Sequence, residues 1–206
     1  MRPLPRLFAF TDHRVRAGPH WAARAAAIAS LGPAVALVAR DPDASASDLT
    51  SFAIRLLALA HPVEAAVIVS SRPDIAAAVG AQGVQLRNTD LTPADARTVL
   101  SHGWIGRSVH TAVEGAEAVA AGADYLVAGS IWPSPSHPDR PAAGIGLIET
   151  LVPLGRPVIG IGGVTPQRVE ALRAAGAWGA AAISTLWQAA RPEEVAAAML
   201  EALLRP

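Results

Sequence analysis

Short apolar runs alternate with alanine-rich stretches of helical period from one end of the chain to the other. The runs, such as Val158-Ile159-Gly160-Ile161, carry no apolar–polar alternation. That pattern suits strands buried on both faces, as in a parallel sheet covered by helices. It predicts strands over 7–12, 34–40, 65–71, 83–88, 104–110, 125–132, 157–163 and 179–184. Helical periodicity fills the intervals near 20–31, 47–60, 73–80, 92–100, 112–121, 145–154, 166–175 and 192–204. Proline at the first helical turn marks the starts at Pro73, Pro93 and Pro166, while Gly32, Gly80, Gly122 and Gly176 suit left-handed caps at helix ends.

Eight strand–helix units with short connections in 206 residues predict one α/β domain, a single (β/α)8 TIM barrel over 1–206. An open doubly wound sheet is the alternative. It would show a glycine-rich fingerprint after the first strand, and Thr11-Asp12-His13-Arg14 is not one. The longest irregular segment, 133–143, carries four prolines between the sixth strand and its helix. At the catalytic end of a barrel it is expected to be a lid or substrate loop; an inter-domain linker is the plainer alternative.

Chemistry in such a barrel sits at the carboxyl ends of the strands. Strand 7 runs into Gly162-Gly163-Val164-Thr165-Pro166, where two glycines let the backbone approach an anion and Thr165 can cap the following helix. Strand 8 ends at Ser184-Thr185, with a short extra helix expected over 186–189. The two loops together predict a phosphate cradle made of backbone donors, against the alternative of two ordinary tight turns. Gly144, opening the sixth helix, is a candidate third donor. Arg40 ends an otherwise apolar strand and is expected to reach an anionic group, the alternative being a solvated surface arginine. Along Arg107-Ser108-Val109-His110, alternation turns Ser108 and His110 toward the barrel mouth.

Strand 6 ends at Gly129-Ser130, and Ser134, Ser136 and His137 follow. His137 is a candidate mobile acid or base near neutral pH, or else an exposed loop residue. The catalytic candidates are therefore His137, His110 and Ser130. The substrate- and phosphate-binding candidates are Arg40, Ser108, Ser134, Gly144, Gly162, Gly163 and Ser184. No metal site is predicted. Strand 3 ends in Ser70-Ser71, Asp90 stands alone, Asp74 falls in a first helical turn, and His13, His20, His61 and His102 form no zinc pattern.

Composition narrows the chemistry further. All 17 basic residues are arginine and are balanced by 17 acidic ones, so a Schiff-base lysine is excluded and no electrostatic footprint for nucleic acid or an anionic membrane surface exists. The chain has no cysteine, which removes disulfides, thiol nucleophiles and Cys-based metal sites. No stretch of membrane-spanning length escapes interruption by Pro, Gly or charge, and the N-terminal segment is read as a strand and not a signal peptide; a cytoplasmic protein is expected.

These features resemble the thiamine phosphate synthase/TenI family over nearly the whole chain. The resemblance rests on Thr11-Asp12, Arg40, Gly83-Val84-Gln85-Leu86, Ile105-Gly106-Arg107-Ser108-Val109-His110, Gly122-Ala123-Asp124-Tyr125, the 157–166 segment and Ser184. The 105–110 and 84–86 segments look closer to the TenI-type thiazole tautomerases. The resemblance implies a homodimeric (β/α)8 enzyme of thiamine biosynthesis acting on a phosphorylated thiazole. Two departures bear on the reaction. Where the synthases carry Asn-Asp for diphosphate-bound Mg²⁺ and a lysine in the strand 6 loop, this chain has Ser70-Ser71 and Ser136-His137, although Asp90 matches the family's other Mg²⁺ ligand. Where the tautomerases carry a histidine after the strand 6 glycine, this chain has Ser130. A thiazole tautomerase (isomerase) working without a cofactor is the favoured expectation. A Mg²⁺-dependent thiamine phosphate synthase, and a non-catalytic barrel that binds thiamine-related phosphates, are the alternatives.

Overall fold

Each apolar run becomes a strand because its two faces meet two separate cores. The computed structural model describes residues 3–134 and 141–205. Its strands are β1 (Leu7–Phe10), β2 (Val35–Ala39), β3 (Ala66–Ser70), β4 (Gly83–Leu86), β5 (Trp104–Val109), β6 (Tyr125–Ala128), β7 (Val158–Ile161) and β8 (Gly179–Ala182). All neighbours are parallel and in sequence order, and the sheet closes where Leu7 stands opposite Ala180. The expected single (β/α)8 barrel is the observed fold. The open sheet is excluded by that closing pair.

The helices are α1 (His13–Ala17), α2 (Trp21–Ala29), α3 (Ala46–Ala60), α4 (Pro73–Val79), α5 (Pro93–Val99), α6 (Ala112–Ala120), α7 (Gly146–Leu151), α8 (Pro166–Ala174), α9 (Ser184–Trp187) and α10 (Pro192–Leu204). Ser45, Thr92 and Thr111 each accept a backbone N–H three residues on, satisfying donors that a helix start leaves open. None of the helices among the described residues is long and apolar enough to cross a membrane.

Outward strand residues such as Leu7, Ala9, Leu37 and Val67 pack beneath the helices. Inward ones, among them Phe8, Phe10, Ile68, Trp104, Tyr125 and Ile159, fill the barrel itself. Gly106 is what admits Tyr125, the largest of the fully buried side chains among the described residues. A Cβ there would lie 2.1 Å from Tyr125 Cζ and 2.3 Å from Gln85 Oε1, so any other residue collides with the barrel filling. Tyr125 is fully buried, stacks obliquely on Phe8 at 5.4 Å, and its phenol pKa is pushed up by burial.

The expected strands run long at their carboxyl ends. Asp12, Arg40, Asn88, Trp132 and Gly163 all lie past the last paired residue. Apolar character continues there because the rim loops pack on one another: Ile131 and Trp132 donate to the carbonyls of Ile161 and Gly162. Helix α1 was not anticipated. Its signal is Asp12, whose carboxylate caps it by accepting Val15 N–H at 2.9 Å. The extra helix after β8 forms, but over Ser184–Trp187 and not 186–189.

Candidate functional site

A cavity of about 350 Å³ opens at the carboxyl ends of the strands. Its floor is apolar, from Phe10, Val127, Ile161, Ala181 and Ile183, and its walls are polar. Of the expected residues, Arg40, Ser108, His110, Ser130, Ser134, Gly162, Gly163 and Ser184 all line it. His137 lies outside the described residues.

One wall is built from the β7 and β8 loops. Gly162 and Gly163 have φ of +96° and +62°, values that L side chains adopt only with strain. They are also hemmed in by the β6 loop: a Cβ would stand 2.5 Å from Ser130 Cβ at position 162 and 2.6 Å from the Pro133 carbonyl oxygen at position 163. Thr185 stitches the two loops together by donating its hydroxyl to the Val164 carbonyl at 2.7 Å. Among the described residues, no acceptor takes the backbone N–H of Gly163, Val164, Ser184 or Thr185. Donors held without an acceptor at the starts of two helices can receive an anion. Two expectations need correction. Gly144 adds no donor, because its N–H is spent on the Ile131 carbonyl at 3.2 Å. Thr165 occupies the N-cap of α8, but its side chain makes no capping bond.

The opposite wall is cationic. Arg40 leaves β2 for the cavity, and its guanidinium bonds to no described residue. Burial lowers its pKa from the ordinary guanidinium value and nearby Arg87 adds to that, while Asp12, Asp41 and Asp43 oppose them. Arg87, Asn88 and Thr89 complete this wall from the loop after β4. Sequence reading passed over Arg87. The rule that singled out Arg40, a charged residue ending an otherwise apolar strand, does not reach Arg87, because Gln85 interrupts the apolar run of Gly83–Leu86 even though the whole strand is buried.

Between the walls stand Ser108, on the face of β5 that alternation predicted, and His110, just past the strand's end. Gln85 Nε2 donates to Ser108 Oγ at 3.1 Å, leaving the serine hydroxyl proton for another acceptor. His110 Nδ1 faces the Gly129 carbonyl, which can only accept. The neutral ring therefore carries its proton on Nδ1 and keeps a lone pair on Nε2. Arg107 points away and donates to the carbonyls of Leu91 and Asn88 at 2.8 and 3.1 Å.

The Mg²⁺ implied by the family resemblance does not fit the residues present. Ser70 and Ser71 are neutral hydroxyls 3.5 Å apart. Both oxygens of Asp90 are engaged by Arg87, through its backbone N–H at 2.7 Å and its guanidinium at 3.0 Å. No group of three or more His, Cys, Asp or Glu side chains among the described residues could hold a metal. A hard cation binds through carboxylates left open to it, and neither the Ser70-Ser71 pair nor Asp90 offers one.

Comparison with known proteins finds relatives of the chain as a whole. The family model described as thiamine monophosphate synthase matches residues 7–186. The thiamine-phosphate synthase of Salinispora tropica is 38% identical over 208 residues, covering 98% of this chain and 99% of that protein. That of Salinispora arenicola is 40% identical over 211 residues, with the same two shares. Among solved structures, thiamine phosphate pyrophosphorylase from Pyrococcus furiosus superposes with a TM-score of 0.84 at 29% identity, covering 96% of this chain and 95% of that one.

Proposed function

The chain belongs to the thiamine monophosphate synthase family, and we propose that it is a transferase of the synthase type, joining a pyrimidine diphosphate to a thiazole phosphate. This replaces the expected leaning to the tautomerase branch, since the two Salinispora relatives, which match 98% of the chain, are named synthases. The observation that carries the reading is one cavity with two anion-receiving walls, the backbone cradle of β7 and β8 and the arginines after β2 and β4.

In this reading the thiazole phosphate sits in the cradle and the diphosphate against Arg40 and Arg87, with both rings on the apolar floor. The thiazole nitrogen forms a bond to the pyrimidine's methylene carbon as the carbon–oxygen bond to diphosphate breaks. The electron pair leaves with the diphosphate. No proton moves in that step, so the site must orient two rings and hold the charge that develops on the leaving group. Guanidiniums do the second task with paired N–H donors. Ser108, whose hydroxyl proton is free of Gln85, supplies a further donor.

One observation favours a second reading. The free Nε2 of His110 is a proton acceptor in the cavity, as a thiazole tautomerase would need. Incubating the protein with both phosphorylated substrates, and separately with a thiazole carboxylate phosphate, separates the two. Thiamine phosphate with stoichiometric pyrophosphate supports the transferase. Isomerised thiazole without it supports the tautomerase and refutes the transferase.

A further inference from the structure

We infer that the loop after β4 carries a guanidinium where a metal-dependent transferase would carry a cation, so that Arg87, seated on Asp90, and Arg40 form a metal-independent subsite for a diphosphate-class anion. The inference deepens the transferase reading and rests on it for the identity of the anion.

The Arg87–Asp90 pair is built as a unit. Asp90 accepts the Arg87 backbone N–H at 2.7 Å through one oxygen, and Arg87 Nε and Nη2 at 3.2 and 3.0 Å through the other. The carboxylate is nearly covered, with 9% side-chain exposure against 52% for the arginine. It is thus spent as a seat and is closed to a metal. Arg107 braces the same loop from the side, through the carbonyls of Asn88 and Leu91. Two arginines therefore hold the four residues 88–91 in place, and Arg87 Nη1 bonds to no described residue.

Asp90 cancels much of the Arg87 charge at a distance but not the direction of its remaining donors. Arg40 supplies the unbalanced charge. Of the carboxylates near it, Asp12 is committed to the start of α1 and Asp41 to Arg16 and to the Asp43 N–H, while Asp43 itself is exposed to solvent. Two guanidinium groups facing one cavity repel each other until an anion enters, and the effect of Arg87 on Arg40 has that sign. A single carboxylate satisfies one planar fork. A diphosphate, with two tetrahedral groups, satisfies two, and it does so without the ion that would otherwise neutralise it.

The test is calorimetry of the whole protein with inorganic pyrophosphate, in EDTA and in excess Mg²⁺, with inorganic phosphate as comparator. Pyrophosphate is expected to bind in EDTA at least as tightly as in Mg²⁺. Arg87→Gln should weaken it roughly ten- to a hundredfold, the range of one lost charge-assisted bond, with phosphate binding at the cradle unchanged. Asp90→Asn should weaken it too, by releasing the arginine, and thermal melts check that both variants fold. Binding that requires Mg²⁺, or a pyrophosphate affinity indifferent to Arg87→Gln, overturns the inference. Failure of the transferase reading looks different: pyrophosphate binds without metal through Arg87, yet no thiamine phosphate forms from the two substrates.

Discussion

Replacing Gly163 by alanine tests the cradle and its packing in one variant, because Gly155 supplies a matched control. Both glycines have positive φ, +62° and +73°. At Gly155 a Cβ would meet nothing within 4 Å, whereas at Gly163 it would stand 2.6 Å from the Pro133 carbonyl oxygen and 2.8 Å from Trp132 Cβ. Gly155→Ala therefore carries only the left-handed conformational cost, about 1–2 kcal/mol. Gly163→Ala adds overpacking against backbone that cannot rotate away, about 1–3 kcal/mol more. At about 2–4 °C per kcal/mol for a domain of this size, melting should fall by about 2–8 °C for the first and by about 4–20 °C for the second. The second readout is phosphate. At a concentration about ten times Kd, a bound anion stabilises by about 1.4 kcal/mol. Scanning calorimetry should show that gain in the wild type and in Gly155→Ala, but not in Gly163→Ala, where the displaced loop turns the free N–H groups off target. Equal melting losses in the two variants, with the phosphate gain intact in both, would refute the reasoning.

Three further outcomes are expected. Tyr125 is the only tyrosine, so ultraviolet titration reads it alone. Burial raises its folded pKa above the unfolded value of about 10, so stability is untouched below that pH and falls by about 1.4 kcal/mol per pH unit above it. Ionisation near pH 10 without unfolding would contradict the packed phenol. Arg16→Ala strips the guanidinium from Asp41, whose side chain is fully buried, and should cost about 1–3 kcal/mol in chemical denaturation. Adding Asp41→Asn should recover part of that loss, and no recovery would mean that the charge is not the cause. His110→Phe should leave transferase turnover within a few-fold, whereas a tautomerase would lose about 10²–10⁴-fold. Steady-state assays of both reactions decide between them.

The periodicity of the chain determined a parallel α/β sheet by itself, and the Leu7–Ala180 pairing closed it into a barrel. Eight unalternating apolar runs separated by helical stretches call for a parallel sheet covered by helices on both faces, and the lack of a glycine-rich fingerprint at Thr11-Asp12-His13-Arg14 favoured the closed form over the open one. The free backbone donors of the β7 and β8 loops were legible from local sequence. Gly162-Gly163 and Ser184 announce backbone conformations that are local properties of a few residues, and the order of the strands brings β7 beside β8. Ser108 followed from the two-residue period of a strand, and His110 lies just past that strand's end.

Partnership between residues distant in sequence was not legible. Whether Gly144 offered its N–H depended on Ile131, thirteen residues earlier, and whether Asp90 was open to a cation depended on where the Arg87 side chain turned. A hydrogen-bonding group is spent or free according to what packs against it. That is settled when loops from different strands meet at the rim, so the tertiary structure alone decided that two arginines face a cradle of backbone amides across one cavity.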